Sequence, residues 1–234
     1  MVEPRHRDVQ ILGVRLRHGL PGGRKHLLVH RVEALLQDRE RVVRLLQDHP
    51  VGGGERAHAV FSRHVPPSRL IRVTAVDRLD LLPADASLRD LNHLFRVLAK
   101  KRRLARLLGD LGEHDRVVLD CPPGLTETAD QVARAADLIV VPVVPSALSE
   151  RAWGEVDRHL GGRTATLPVH VMVDRRRALH GDALARHPDW PVIPMASAVE
   201  SAATNRRCLG EIAPRSPAAL AFADLWKRIE KRLA

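Results

Sequence analysis

Two stretches near the middle of the chain are apolar without alternating. Arg116-Val117-Val118-Leu119-Asp120 runs into Cys121-Pro122-Pro123-Gly124, and Leu138-Ile139-Val140-Val141-Pro142-Val143-Val144 runs into Pro145. Apolar, β-branched runs with no period of two suit strands buried on both faces of a parallel sheet, and the prolines that follow cannot donate to a ladder. From residue 68 onward such strands alternate with helical patterns. The spacing predicts strands at 79–82, 116–120, 138–142, 168–173 and 192–193, and helices over 87–108, 127–135, 147–160, 178–186, 197–208 and 217–233. This alternation implies right-handed crossovers and an α/β fold with a doubly wound, mostly parallel sheet flanked by helices. No internal repeat or low-complexity linker interrupts it, so a single domain is expected.

Composition narrows the class. With 234 residues, 44% of them hydrophobic, the chain can bury one sizeable core. It has no apolar run long enough to span a bilayer, and MVEPRHRDVQ lacks the apolar stretch of a signal peptide, so a cytoplasmic protein is expected. Cys121 and Cys208 fit no metal or redox spacing and are expected to be reduced thiols in or near the core. The net charge of +10 allows salt-sensitive attraction to nucleic acid or an anionic surface, but arginine-rich composition also follows from GC-rich coding DNA. Residues 96–106 (RVLAKKRRLAR) are its densest cluster, read as a solvated helix face ahead of a DNA or lipid contact.

Asp120 is the first candidate for chemistry. It closes a buried strand at its carboxyl end, where ligands of open α/β sheets sit, and a lone acid there suits the Mg²⁺ or attacking water of a nucleotide site. A second reading, equally open, is that Asp120 caps the next helix. Trp153 and Trp226 stand at apolar helical positions and are expected to pack. In the last helix, Phe222, Leu225, Trp226, Ile229 and Leu233 form an apolar stripe with Lys227, Arg228, Lys231 and Arg232 beside it, a pattern expected to pack on the sheet in preference to docking on lipid.

Six segments together carry a resemblance. LDLLPADASLRDL, DRVVLDCPPGL, AADLIVVPVVPSALSERA, VMVDRRRALH, VIPMASAVESAA and PRSPAALAFADLW follow in the order and spacing of the ParA/MinD family of deviant Walker ATPases, over residues 68–234. The resemblance implies a P-loop fold, binding of ATP and Mg²⁺, slow ATP hydrolysis, an ATP-dependent homodimer, and partners such as a ParB-like or cargo protein and nonspecific DNA. By the same resemblance Asp120 matches the Walker B aspartate, assisting Mg²⁺ through water. Asp174 and Arg175 match the region beside the adenine ring, with a solvated loop as the equal alternative, and Pro194 and Met195 match the loop that closes over the base.

Residues 1–67 depart from that pattern. Val9–Val14 stands where the first strand should be, Pro21-Gly22-Gly23-Arg24-Lys25-His26 where the phosphate loop should be, 26–37 where a helix should follow, and 41–50 where a second strand should end. Gly22, Gly23 and Lys25 are the phosphate-binding candidates. Arg24 occupies a position where glycine lets the backbone approach phosphate, His26 replaces the Mg²⁺-binding hydroxyl, Leu20 replaces the signature lysine, and Gln47 and His49 replace two aspartates. No Ser or Thr precedes Ser62, so no shift of register restores the hydroxyl. Seven of the 13 histidines and 11 arginines fall in these 67 residues, which hold no Thr, Tyr or Trp. The segment is therefore either a degenerate P-loop region or a stretch translated from another start or frame. The expected function is a partition or positioning ATPase with impaired or lost ATP binding, inactive as a hydrolase. A non-catalytic module that binds a partner protein or DNA is the alternative.

Overall fold

The computed structural model describes residues 12–16, 26–29, 60–61, 65–73, 79–82, 91–98, 103–109, 111, 114–121, 124–205 and 207–234. The chain divides into two compact units, one over residues 10–139 and one whose described residues are 140–234. The division falls within a strand, Leu138–Val143.

In the first unit the strands are β1 (Leu12–Leu16), β2 (His26–Val29), β3 (Arg72–Val73), β4 (Leu79–Leu82) and β5 (Arg116–Asp120), in the spatial order β3-β4-β2-β5-β1. The three inner strands β4, β2 and β5 are parallel, with β4 and β5 falling where strands were expected, while β3 and β1 lie antiparallel at the two sides of this group. Three helices accompany them: α1 (Leu91–Leu98), α2 (Arg103–Gly109) and α3 (Glu127–Ala135). α3 packs against α1, α2 and β1, burying Ala129, Val132 and Ala135, and α2 contributes Leu104, Leu107 and Leu108 to the same core. Phe61 and Phe95 meet edge to face at 5.9 Å.

Two expectations for the N-terminal part change. The helix read over 26–37 begins instead as β2, because a four-residue apolar run fits either period and the pairing of His26–Val29 with both β4 and β5 decides between them. The strand read over Val9–Val14 is β1, described from Leu12 to Leu16, and it runs antiparallel to β5. The strand read over 41–50 lies outside the described residues.

One polar contact pins the amino end of this sheet. His114, just ahead of β5 and 6% exposed at its side chain, donates from Nε2 to Asp80 Oδ2 of β4 at 2.9 Å. Removing the acceptor strands a buried donor, so Asp80→Ala is expected to destabilise the protein by about 1–3 kcal/mol, and Asp80→Asn, which keeps an acceptor, by less. Urea titration with an unchanged slope checks this; equal losses for the two variants would assign the effect to packing.

The second unit holds most of β6 (Leu138–Val143), then α4 (Ala147–Leu160), β7 (Ala165–Val173), α5 (Ala178–Arg186), β8 (Val192–Pro194), α6 (Ser197–Asn205), α7 (Leu209–Ile212) and α8 (Pro217–Leu233). The strand order is β6-β7-β8, with β7 and β8 parallel. Local chemistry sets the helix limits. Ser146 caps α4 by accepting the Ser149 N–H at 3.3 Å, and Gly161 ends it in the left-handed conformation (φ 54°) that glycine adopts without strain. Ser216 and Pro217 start α8 in the same manner, the Ser216 hydroxyl accepting the Ala219 N–H at 3.2 Å.

α8 packs on β8, and Arg232 Nη1 donates to the Thr166 carbonyl at 2.9 Å. Its apolar stripe divides: Ile229 and Leu233 are buried as expected and Leu225 is half-buried, whereas Phe222 and Trp226 are exposed; Ala218 is buried as well. The expectation for Trp226 is corrected accordingly: it is 36% exposed, although about 100° per residue places it on the same side of the helix as Ile229 and Leu233. Trp153 does pack, edge-on to Trp190 at 5.7 Å. Of the two thiols, Cys121 is buried and Cys208 is exposed, the latter against expectation because it sits in the turn ahead of the short α7.

Candidate nucleotide site

Asp120 is the last residue of β5 and is half-buried, following Val117 and Leu119, which are almost fully enclosed. The thiol of Cys121 donates to the Leu119 carbonyl at 3.6 Å, and Pro122 and Pro123 lie outside the described residues. Gly124 has φ 102°, which side chains rarely tolerate, and it sets up the turn into α3. The cap of α3 is Thr126, whose hydroxyl accepts the Ala129 N–H at 3.3 Å. Thr126, and not Asp120, therefore caps the following helix.

The register of β5 bears directly on the phosphate-binding candidates. Gly22, Gly23 and Lys25 lie outside the described residues, but the residues flanking their segment are described. Leu16, which closes β1, is opposite Arg116, and His26, which opens β2, is also opposite Arg116. Asp120 is paired instead with Leu12, at the far end of β5. Four steps along a strand span about 13 Å. A phosphate loop works by leaving the carboxyl end of its strand beside the Walker B carboxyl end and entering a helix whose N-terminal amides face the phosphates. Here β1 ends beside the amino end of β5, and the residue after Lys25 enters a strand. Leu16 and His26 thus both lie at the end of β5 opposite to Asp120.

In the second unit the other candidates do converge. β7 ends at Val173 after a bulge at which Met172 takes φ 56°, an uncommon conformation for a residue with a side chain. Val173 is in register with Pro194, and the Met195 N–H donates to the Val173 carbonyl at 2.9 Å. Asp174, Arg175, Pro194 and Met195 therefore share the carboxyl end of β7 and β8, with Met195 half exposed.

Asp174 organises the turn that follows. Its two carboxylate oxygens accept from Nε and Nη2 of Arg176 at 2.9 Å each, and Oδ1 also accepts the Arg176 backbone N–H at 3.1 Å. These contacts hold its carboxyl well below the usual carboxylate range, at about 2. Arg175, Arg176 and Arg177 are exposed. The backbone N–H of Asp174 donates to Nδ1 of His180, which is buried in the first turn of α5. No sequence signal marks His180, nor His170 and His187 nearby, because each is a single histidine whose surroundings come from tertiary packing. Among the described residues no group of three or more His, Cys, Asp or Glu is placed to hold a metal ion.

The fold defined by this geometry is that of the ParA/MinD-type P-loop ATPases, an α/β sheet flanked by helices. A plasmid partition protein of Borrelia burgdorferi B31 bound to AMPPNP matches with a TM-score of 0.71 at 15% identity, over 89% of this chain and 87% of that one. The septum site-determining protein MinD of Pyrococcus horikoshii, complexed with Mg-ADP, matches with 0.64 at 20% identity, over 89% and 84%. A chain of the MinC:MinD cell division protein complex of Aquifex aeolicus matches with 0.66 at 17% identity, over 89% and 84%. No family model matches the sequence, and no curated protein does. At these identities the likeness establishes the fold.

Proposed function

We propose that the chain is a positioning or partition protein of the ParA/MinD class whose ATP switch is impaired or lost. The six sequence segments over 68–234 and the solved relatives bound to AMPPNP, to Mg-ADP and to MinC support the class. The observation that carries the loss is the pairing of His26 with Arg116, which starts β2 at the edge of the sheet opposite Asp120. The residues present do not fit Mg-ATP: an imidazole in place of a hydroxyl is a poor ligand for a hard cation, and the arginine beside Lys25 blocks close approach of backbone to phosphate. No hydrolytic step is derived for this chain. Its action is then binding, to a second copy, to a ParB-like or cargo protein, or to nonspecific DNA. No described helix is long and apolar enough to cross a membrane.

The alternative reading, an interaction module without a nucleotide-driven cycle, draws on the exposed Arg96 and Arg106 of α1 and α2. Calorimetric titration with Mg-ATP tests the loss common to both readings, since a working switch must bind it. The origin of residues 1–67 has its own test. Coding DNA upstream of codon 68, read in the other frames, is expected to encode a strand followed by K-G-G-x-G-K-[ST]; its absence from every forward frame would favour degeneration in place.

A further inference from the structure

Three large apolar side chains that stand in solvent belong to one short stretch of chain. Met172 at the end of β7 is 52% exposed, Leu179 in the first turn of α5 is 71% exposed, and Met195 just after β8 is 50% exposed. The backbone brings them to one place. The Met195 N–H donates to the Val173 carbonyl at 2.9 Å, and the Asp174 N–H donates to Nδ1 of His180, the residue after Leu179, at 3.0 Å. Met172 holds φ 56° there, in the left-handed region that a side chain resists, and such outliers gather where a surface is used. The same turn is cationic. Arg175, Arg176 and Arg177 are exposed, and Arg176 is neutralised by its paired contacts with Asp174 at 2.9 Å. The Arg175 and Arg177 side chains make no ion pair among the described residues. α5 begins at Arg177 with no side-chain cap and no acid in its first turn, so the positive end of its dipole adds to theirs.

We propose that this strand end is a docking surface for an acidic amphipathic segment of a partner protein, its apolar side chains laid on Met172, Leu179 and Met195 and its carboxylates set against Arg175 and Arg177. Charge selects the occupant. A second copy of the chain would set the same arginines against one another, and like charges brought together oppose association. A nucleic acid would satisfy the arginines through phosphate, but it has nothing to lay on two thioethers and a leucine. Single strands are held on aromatic platforms, and none of the three exposed apolar side chains here is aromatic. An amphipathic helix, by contrast, presents apolar positions at i, i+3, i+4 and i+7 with Asp or Glu beside them. Exposed apolar surface with a charged rim marks protein association, and the flexible, polarisable methionine side chain moulds to such a partner. Such docking rests on the reading above in that binding a partner protein is the chain's action, and it draws nothing from the loss of the ATP switch.

Fluorescence anisotropy on the purified full chain tests it, with a fluorescein-labelled peptide carrying Leu at i, i+3, i+4 and i+7 and Glu at the remaining positions. Saturable binding is expected, and a scrambled peptide of equal charge whose Leu no longer share a face should bind about tenfold or more weakly. The scramble matters because a chain of net charge +10 attracts any polyanion. Arg175→Glu with Arg177→Glu is expected to weaken the ordered peptide about tenfold or more, and Leu179→Ser with Met195→Ser about as much. Lys227→Glu with Lys231→Glu changes the net charge equally at exposed positions of α8 and should leave binding within about twofold. All of these positions are exposed, so an unchanged urea midpoint checks the fold of each variant. No saturable binding, equal binding of the scrambled peptide, or an equal loss from the lysine pair would overturn the proposal. A single-stranded oligonucleotide or phosphatidylglycerol vesicles that bound more tightly than the peptide, and lost binding in the arginine pair, would overturn it too. Retained peptide binding in the presence of Mg-ATP supports the docking surface whatever the calorimeter reports on ATP, so the docking surface and the lost switch fail separately.

Discussion

Titrated with ATP and Mg²⁺ in a calorimeter, the chain is expected to give no heat of specific binding, and Lys25→Ala to leave the trace unchanged. Phosphoryl chemistry in P-loop proteins rests on positioning and charge neutralisation by loop amides, a lysine and a hydroxyl-held Mg²⁺. Here Arg24 stands where a glycine would admit the phosphates, His26 stands where the hydroxyl would be, and Leu20 stands where the signature lysine would be. Each missing charge-assisted contact weakens binding by about 1.5–3 kcal/mol, or some ten- to a hundredfold. Three such losses take a micromolar site beyond the reach of the measurement. The strand pairing adds a geometric reason, since Leu16 and His26 both lie beside Arg116 while Asp120 closes the other end of β5. Micromolar binding abolished by Lys25→Ala would sink this expectation and restore Gly22, Gly23 and Lys25 as a working phosphate loop.

What could be read in advance was set by burial and by local caps. Val117, Leu119 and the whole of Leu138–Val141 are almost fully enclosed, and their unbroken apolar runs announce it. The helices at 127–135, 147–160 and 178–186 match their predicted limits; in the first two, Thr126 and Ser146 supply an N-cap that sequence alone can suggest. The strands β4 and β5 follow from the same runs, but the strand His26–Val29 that joins them does not. Four apolar residues fit a helix turn or a strand equally, and only two neighbouring strands resolve the choice.

That Asp174, Arg175, Pro194 and Met195 stand at strand ends was legible in the apolar runs before them, whereas the direction of β1 was not. Asp174, Arg175, Pro194 and Met195 meet because β7 and β8 are parallel and in step at Val173 and Pro194. Nothing in the spacing of Lys25 and Asp120 could reveal that β1 runs antiparallel to β5, because strand direction is a property of the connection between them. The imidazoles around α5 were equally hidden. His170 lies on an apolar strand where a lone polar residue carries no pattern, and its significance comes from Trp190 and His187, both well beyond it in sequence.

The second large effect concerns the strand with both faces covered. Leu138 and Ile139 are adjacent in β6, so their side chains point to opposite sides of the sheet, and both are 0% exposed. A sheet open on one side would bury only one of them. Truncating each to alanine removes three carbons from a close-packed site that collapses only in part, so Leu138→Ala and Ile139→Ala are each expected to destabilise the protein by about 2–5 kcal/mol. Leu148→Ala, at a 59% exposed position in the first turn of α4, should change stability by less than about 0.5 kcal/mol. Urea midpoints with a constant slope give the comparison. Set against a typical total of about 5–15 kcal/mol, one strand variant already removes a large share, and the pair together should leave little folded protein, with coupling between neighbours making the sum inexact. A near-neutral result for either strand variant would mean that one face of β6 is not covered, and the doubly wound architecture would fail at its most buried strand.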